Sequence, residues 1–428
     1  MAERKGFFYG WAIIAIGWVL YGFGISPAFY SWGQFSDQLI IDLDLSKASF
    51  GYIAGAFSLV YSAVAPLFAF LQSRFTIRLT MTFGAVLSSA GFFYMSRANS
   101  LLDCIIGFVV MGGLGIGLST ILPSQTLGQN WFLKYRARSI AIILTAGGVI
   151  GAAVPKVDQW FLENRSWNDG WLLISGISAL MAVVAFVFVR DRPEAIGQFR
   201  DGAEEDPQEP SPDPANAEVG AAVWTAPQAI RTIQFAVMIL AGLAYAVPWG
   251  IVVFHGRLHM GADGLGLSAG LITSLFTWMI LVTIAGRLSA SLGDLVSPQK
   301  IFAAALLLEA FGLVGLMFVE GPVLGYISVT SIGLGFGAGY VSISIVFSQF
   351  FGRRAFAGTT GTRFLIGGTI GFFAPGVAGQ IADATGSYNI AFTALAILCV
   401  VGAASAFFCP APGAPPTLLT SQTHAHND

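Results

Sequence analysis

The sequence predicts an all-α membrane protein of twelve transmembrane helices, built as two six-helix bundles related by pseudo-symmetry. Three observations predict it. Hydrophobic residues make up 55% of the 428 residues and charged residues only 10%, with a mean hydropathy of +0.73, which is too apolar for a soluble protein. The uncharged runs reach about twenty residues or more, enough to cross ~30 Å of hydrocarbon at ~1.5 Å per residue, and they lack the period-two alternation of a barrel. Finally, Gly147-Gly-Val-Ile-Gly-Ala-Ala-Val-Pro155 returns 220 positions later as Gly367-Gly-Thr-Ile-Gly-Phe-Phe-Ala-Pro375, and Gly113-Leu-Gly-Ile-Gly117 returns at the same offset as Gly333-Leu-Gly-Phe-Gly337. The chain is a tandem duplication, and the seam between two such halves is where transporters hold cargo.

Charged residues punctuate the apolar runs into segments 8–38, 47–74, 79–96, 102–131, 138–161 and 171–189 in the first half. The second half has segments 230–255, 268–293, 300–318, 323–351, 356–381 and 388–409. The first segment is as long as the others and no small-residue cleavage site follows it, so it reads as a retained helix. Three regions follow: an N-terminal bundle over 1–190, a flexible cytoplasmic linker over 191–228, and a C-terminal bundle with a short polar tail over 229–428. The linker is too rich in Pro and acid to pack a core, as in Glu204-Glu-Asp-Pro207 and Pro210-Ser-Pro-Asp-Pro214, and a short surface helix near Trp224 is the one element expected in it.

Lys and Arg set the expected orientation. One side collects Arg4, Lys5, Arg74, Arg78, Lys134, Arg136, Arg138, Arg190, Arg192, Arg200, Arg231, Lys300, Arg353 and Arg354, whereas the other has Lys47, Arg97, Arg165 and Arg257. Both termini and the linker are therefore expected in the cytoplasm, with the protein in the inner (plasma) membrane. Cys104, Cys399 and Cys409 show no metal spacing. No cofactor and no nucleic-acid partner is implied, and no phosphate-binding loop points to ATP. The Gly-x-Gly-x-Gly strings lie inside apolar runs instead of opening a helix after a strand, so they are read as close helix packing.

The turn after the second segment, Ala65-Pro-Leu-Phe-Ala-Phe-Leu-Gln-Ser-Arg74-Phe-Thr-Ile-Arg78, and the turn after the eighth, Gly286-Arg-Leu-Ser-Ala-Ser-Leu-Gly-Asp294-Leu-Val-Ser-Pro-Gln-Lys300, resemble the paired loop motif of the major facilitator superfamily (MFS). Ser73 stands where the family usually has Asp, and Leu295 stands where it has Arg, so the resemblance implies a conformational latch only at Asp294. Asn130-Trp-Phe-Leu-Lys-Tyr-Arg-Ala-Arg138, Thr145-Ala-Gly-Gly148, Phe188-Val-Arg-Asp-Arg-Pro-Glu194, Gly386-Ser-Tyr388 and the opening Tyr9-Gly-Trp11 are similar to the monocarboxylate transporter and oxalate/formate antiporter branch. This resemblance covers essentially the whole chain outside the linker. It implies the MFS fold and a secondary active transporter of a small organic anion, above all a monocarboxylate. The mechanism implied is alternating access with proton symport or anion exchange, in a functional monomer whose partners are the carboxylate, protons and the lipid bilayer.

Intramembrane charge narrows the site, because Arg or Lys at a helix centre costs roughly 2.5 to 3.5 kcal/mol. Arg287 stands two turns before Asp294, about 10 Å into the bundle, and Arg363 stands nine residues beyond Arg354, about 14 Å in. Glu309 is the one nearby acid. Either it pairs with one arginine, or both guanidinium groups await a substrate carboxylate, which such a planar group holds bidentately. By the resemblance, Arg287 falls where the family places its substrate arginine, and Arg363 falls one turn from the lysine of the oxalate/formate branch. Segments 1, 4, 7 and 10 are expected to line the cavity with these arginines.

His255 is read as a boundary histidine bonded to a carbonyl or as a proton-sensitive substrate contact. Thr283 occupies the place where proton-coupled relatives put an acid, which leaves His255 and Glu309 as the proton-coupling candidates. Tyr340, Ser119 and Thr120 offer hydroxyls to a substrate, with a bond to their own helix backbone as the simpler alternative, and Lys156 is expected to snorkel to the interface. Two other readings share the composition: a multidrug exporter on the same fold, and a substrate-binding membrane sensor. An enzyme is not expected, because no paired acids, metal ligands or nucleophile with base occur at depth.

Overall fold

The computed structural model describes residues 7–205, 224–289 and 296–413. The first half contributes α1 (Gly10–Gln34), α2 (Lys47–Gln72), α3 (Ile77–Met95), α4 (Leu101–Trp131), α5 (Arg136–Asn164) and α6 (Trp167–Phe188). The second contributes α7 (Ile233–Met260), α8 (Ala269–Ser289), α9 (Pro298–Leu316), α10 (Pro322–Gly352), α11 (Gly358–Thr385) and α12 (Asn389–Phe408). Eleven of these are long and apolar enough to cross a membrane. The twelfth, α3, is diluted by Arg78, Thr80, Thr82, Ser88 and Ser89, but it packs on α4 and α6. Its hydroxyls are satisfied by backbone carbonyls, as Thr80 bonds Thr76 at 3.0 Å and Ser89 bonds Ser175 at 2.9 Å, which is what a helix needs at membrane depth.

Helix starts follow local side-chain chemistry. Ser46, Thr76, Ser100, Ser166 and Thr232 each accept a hydrogen bond from a backbone N–H of the first turn of α2, α3, α4, α6 and α7, as N-caps do. The chain leaves α10 at Gly352, whose φ of +70° suits glycine and strains other residues. A π-helical stretch, Ile105–Gly112, runs directly into the first glycine string. There Gly115 faces Gly84 of α3 and Gly107 faces Gly91, so close that an added Cβ would meet backbone.

The region expected to be a flexible linker from residue 191 differs from that expectation. Asp191 accepts hydrogen bonds from the Ile77 and Arg78 N–H groups at 2.7 and 3.1 Å, capping α3. Asp201 accepts from the N–H groups of Leu133, Lys134 and Tyr135 ahead of α5. The acids that made this stretch look like linker satisfy orphan donors beside two helix starts, where negative charge is favoured. The short helix expected near Trp224 is Ala226–Ile230, held by a capping box between Thr225 and Gln228. Residues 206–223 and the proposed latch Asp294 lie outside the described residues.

An even number of helices brings both ends of the described chain to one side, the terminal end. Across the seam, α2 packs on α11, α5 on α8 and α1 on α7. These contacts run from mid-bundle to the opposite, far end and are tightest where side chains are missing: Gly51 meets the Pro375 carbonyl, Gly55 that of Phe372, and Gly33 that of Val253. The far end is closed.

Candidate functional site

Glycine positions the first arginine. Gly286 of α8 lies against the Leu334 carbonyl and Gly337 of α10 against that of Thr283, so the duplicated glycine string packs helices, as its apolar setting predicts. The close approach sets Arg287 beside Tyr340, one turn further along α10, with the guanidinium carbon 5.2 Å from the ring centroid. Nη1 donates to the Leu144 carbonyl of α5 across the seam at 2.8 Å, and Nε has no hydrogen-bond partner. Tyr21 and Tyr30 of α1 lie within electrostatic reach of this guanidinium, and the unpartnered Tyr61 hydroxyl of α2 lies near Tyr21 and Tyr340.

Arg363 of α11 lines a cavity of about 200 Å³ with Ser58 and Ser62 of α2, Tyr245 and Trp249 of α7, and Phe29 of α1. Its guanidinium carbon sits 5.6 Å from the Phe347 centroid and 4.9 Å from that of Phe364, and Nε is again unpartnered. Tyr245 is within reach of both Arg363 and Tyr340, so Tyr245 and Tyr340 stand between the two guanidinium groups. The wall differs from the expected set of helices 1, 4, 7 and 10. Here α2 and α11 replace α4 and α10, because Gly367, Gly368 and Gly371 leave that face of α11 without side chains to fill the space.

Glu309 is fully buried on α9, and neither carboxyl oxygen has a hydrogen-bond partner. It packs on Gly335 of α10, with Tyr245 and Cys399 nearby. Among the described residues neither Arg287 nor Arg363 forms an ion pair, so the pairing of Glu309 with one of them is not what the fold provides. Two partly buried guanidinium groups without an acid partner among the described residues are groups that can hold an anion.

Other expected residues fall elsewhere. His255 is fully buried in the seam, bonded through Nε2 to the Pro375 carbonyl at 2.9 Å and through Nδ1 to the Tyr388 hydroxyl at 3.0 Å. The carbonyl only accepts, so Nε2 carries the hydrogen. That is the carbonyl-bonded reading, and the fold does not bring His255 into the cavity. Ser119 and Thr120 donate to their own helix at Gly115 and Ile116, at 2.8 and 2.7 Å, and Ser119 faces the interior of the first bundle, away from the arginines. Lys156 is exposed. Tyr21, Tyr30, Tyr61 and Tyr245 were not singled out by sequence; their one signal is a polar-tipped ring inside an apolar run.

The sequence profile of the Major Facilitator Superfamily matches residues 6–293. Relatives include monocarboxylate transporter 2 of Mus musculus, 20% identical over 402 residues, covering 90% of this chain and 81% of that protein. Monocarboxylate transporter 13 of Bos taurus is 24% identical over 409 residues, covering 92% and 89%. Among solved structures, a bacterial homolog of the human lysosomal transporter Spinster, inward-facing and unoccupied, aligns with a TM-score of 0.71 at 14% identity, covering 94% of this chain and 97% of that one. The nucleoside transporter NupG aligns with a TM-score of 0.71 at 12% identity, covering 92% and 98%; these two show the shared fold. The chain belongs to the Major Facilitator Superfamily.

Proposed function

We propose that this transporter carries a small organic anion, a monocarboxylate before others, by alternating access across the inner membrane. The observation that carries the reading is Arg287: half-buried beside Tyr340, bonded across the seam to a carbonyl, and without an acid partner among the described residues. A carboxylate entering from the terminal end meets Nε, which already lacks an acceptor, and a second guanidinium N–H, giving the two-pronged contact. It supplies the negative charge that the apolar interior lacks, so the loaded site is cheaper to enclose than the empty one.

The excess of Lys and Arg at the terminal end favours a cytoplasmic position for that end, so the closed far end is read as the outer one. Glu309, buried on α9 with no hydrogen-bond partner among the described residues, is the candidate acid for proton coupling. His255, locked between Pro375 and Tyr388, contributes to closure of the outer seam. A thermal-shift series of the purified protein against small carboxylates tests the reading, because a ligand that binds the native state stabilises it by mass action. Concentration-dependent stabilisation by short monocarboxylates, lost in Arg287→Ala, is the expected result. Stabilisation by bulky neutral compounds with no response to carboxylates would favour a drug exporter instead.

A further inference from the structure

The repeated glycine pairs have diverged in use. In the first copy, a Cβ added at Gly147 of α5 would meet the Tyr21 ring of α1, and one added at Gly151 would meet the Tyr30 ring, so aromatic side chains fill that helix face. In the second copy, a Cβ added at Gly367 or Gly371 of α11 would meet no described atom within 4 Å, and both glycines line the cavity of about 200 Å³. Close helix packing accounts for the first pair and leaves the second without an occupant. The opposite wall is made of rings that other rings hold in place. Trp249 of α7 stacks on Phe336 of α10 with centroids 4.0 Å apart and planes 9° apart, and Phe254 of α7 lies 5.3 Å from Phe29 of α1. Both Trp249 and Phe254 are buried. Arg363 enters the same cavity with Nε unpartnered. Tyr245, which also lines it, is within reach of Tyr340, the ring beside Arg287, and so links the cavity to the carboxylate position.

We propose that this cavity takes an aryl group of the cargo, so that the carried anions include monocarboxylates bearing an aromatic ring, with Gly367 and Gly371 setting the size admitted. The carboxylate sits on Arg287 and the ring lies among Trp249, Phe254 and the bare face of α11. Size permits it, since an apolar cavity of about 150 Å³ is enough for benzene. The rigid walls lower the ordering cost of binding. Arg363 selects the kind of ring. Filling the cavity strips water from its guanidinium, and a saturated group offers nothing in return, whereas the face of an aromatic ring attracts a guanidinium. Arg363 already makes that contact with Phe347 and Phe364, and an aryl cargo adds another.

This inference rests on the carboxylate reading at Arg287, and a series of acids separates the two. Kd values for propanoate, phenylacetate and cyclohexylacetate are measured by titration calorimetry on the purified full chain. Wild type should hold phenylacetate at least about tenfold tighter than propanoate, the low end for burying a phenyl group, and about twofold or more tighter than cyclohexylacetate. Gly367→Val and Gly371→Val put a side chain into the space with no described neighbour for the new Cβ to strike, and each should cut the advantage of phenylacetate over propanoate to about threefold or less. Partition of the ring into detergent is common to all variants, so a change in that ratio reports the cavity. Arg363→Gln should bring phenylacetate and cyclohexylacetate to equal affinity. If neither glycine variant folds, Ser62→Leu narrows the cavity from α2. A ratio unchanged in these variants overturns the cavity as the ring site, and equal wild-type affinity for the two cyclic acids overturns the preference for aryl groups. Propanoate binding with no gain from a ring defeats this inference alone, whereas no binding of any of the three acids defeats the carboxylate reading at Arg287.

Discussion

Arg287 lies over the ring of Tyr340, 5.2 Å from guanidinium carbon to ring centroid, with no acid partner among the described residues. The ring covers a face of the guanidinium and the Leu144 carbonyl takes Nη1, so the edge that carries the unpartnered Nε is the one left for the N–H fork a carboxylate needs. Replacing Arg287 with Ala is expected to lower carboxylate transport at least about 100-fold, the equivalent of ~3 kcal/mol from two charge-assisted hydrogen bonds. Lys should restore little, because a point charge does not reproduce a two-pronged contact. Proteoliposome uptake measures it; full activity in a well-folded Arg287→Ala protein would reduce the residue to its bond with Leu144.

Tyr340→Phe keeps the ring beneath the guanidinium and should change uptake by less than about fivefold, whereas Tyr340→Ala removes a stacking contact worth ~0.5 to 2 kcal/mol. Equal losses in the two variants would assign the role of Tyr340 to its hydroxyl.

Arg363 decides how many carboxylates the cargo carries. Two free guanidinium groups in a small apolar space repel each other until a dianion or a second acid joins them. In a competition series of monocarboxylates against dicarboxylates, Arg363→Gln should lose the dianions selectively. Equal loss of both classes would leave Arg363 a packing role against Phe347 and Phe364.

Glu309→Gln replaces the buried carboxyl by an amide of similar shape, so the stability of the protein should stay within about 1 kcal/mol of wild type. Accumulation driven by a pH gradient should disappear while exchange of labelled for unlabelled carboxylate continues. Retained proton-driven accumulation would move the coupling group elsewhere.

Topology is checked with single cysteines at Glu205 and Asn164, both exposed, against native Cys104, Cys399 and Cys409, which are buried. In intact cells an impermeant thiol reagent should label the Asn164 position and spare the Glu205 position. Labelling of both would defeat the proposed orientation.

The helices were legible in the chain because a bilayer imposes a one-dimensional rule: about twenty apolar residues with internally satisfied backbone. Punctuation by Arg78 or Lys300 therefore locates helix ends to within a few residues. The repeat of the glycine strings likewise exposed the two halves. Both arginines were visible for the same reason, since a charge inside an apolar run stands out however the helices pack. What the charges face is a three-dimensional matter. Glu309 looked like a counter-ion for Arg287 or Arg363, but packing on Gly335 turns it into the second bundle's interior. His255 read either as a carbonyl-bonded boundary histidine or as a substrate contact, and the bare surfaces of Gly51 and Gly55 that let α2 lie against α11 leave it in the seam on the Pro375 carbonyl. The acids of residues 191–205 looked like linker composition until the amide groups ahead of α3 and α5 came within their reach. Composition and spacing report what each residue costs to bury, whereas its partner comes from distant segments that meet only when the halves pack.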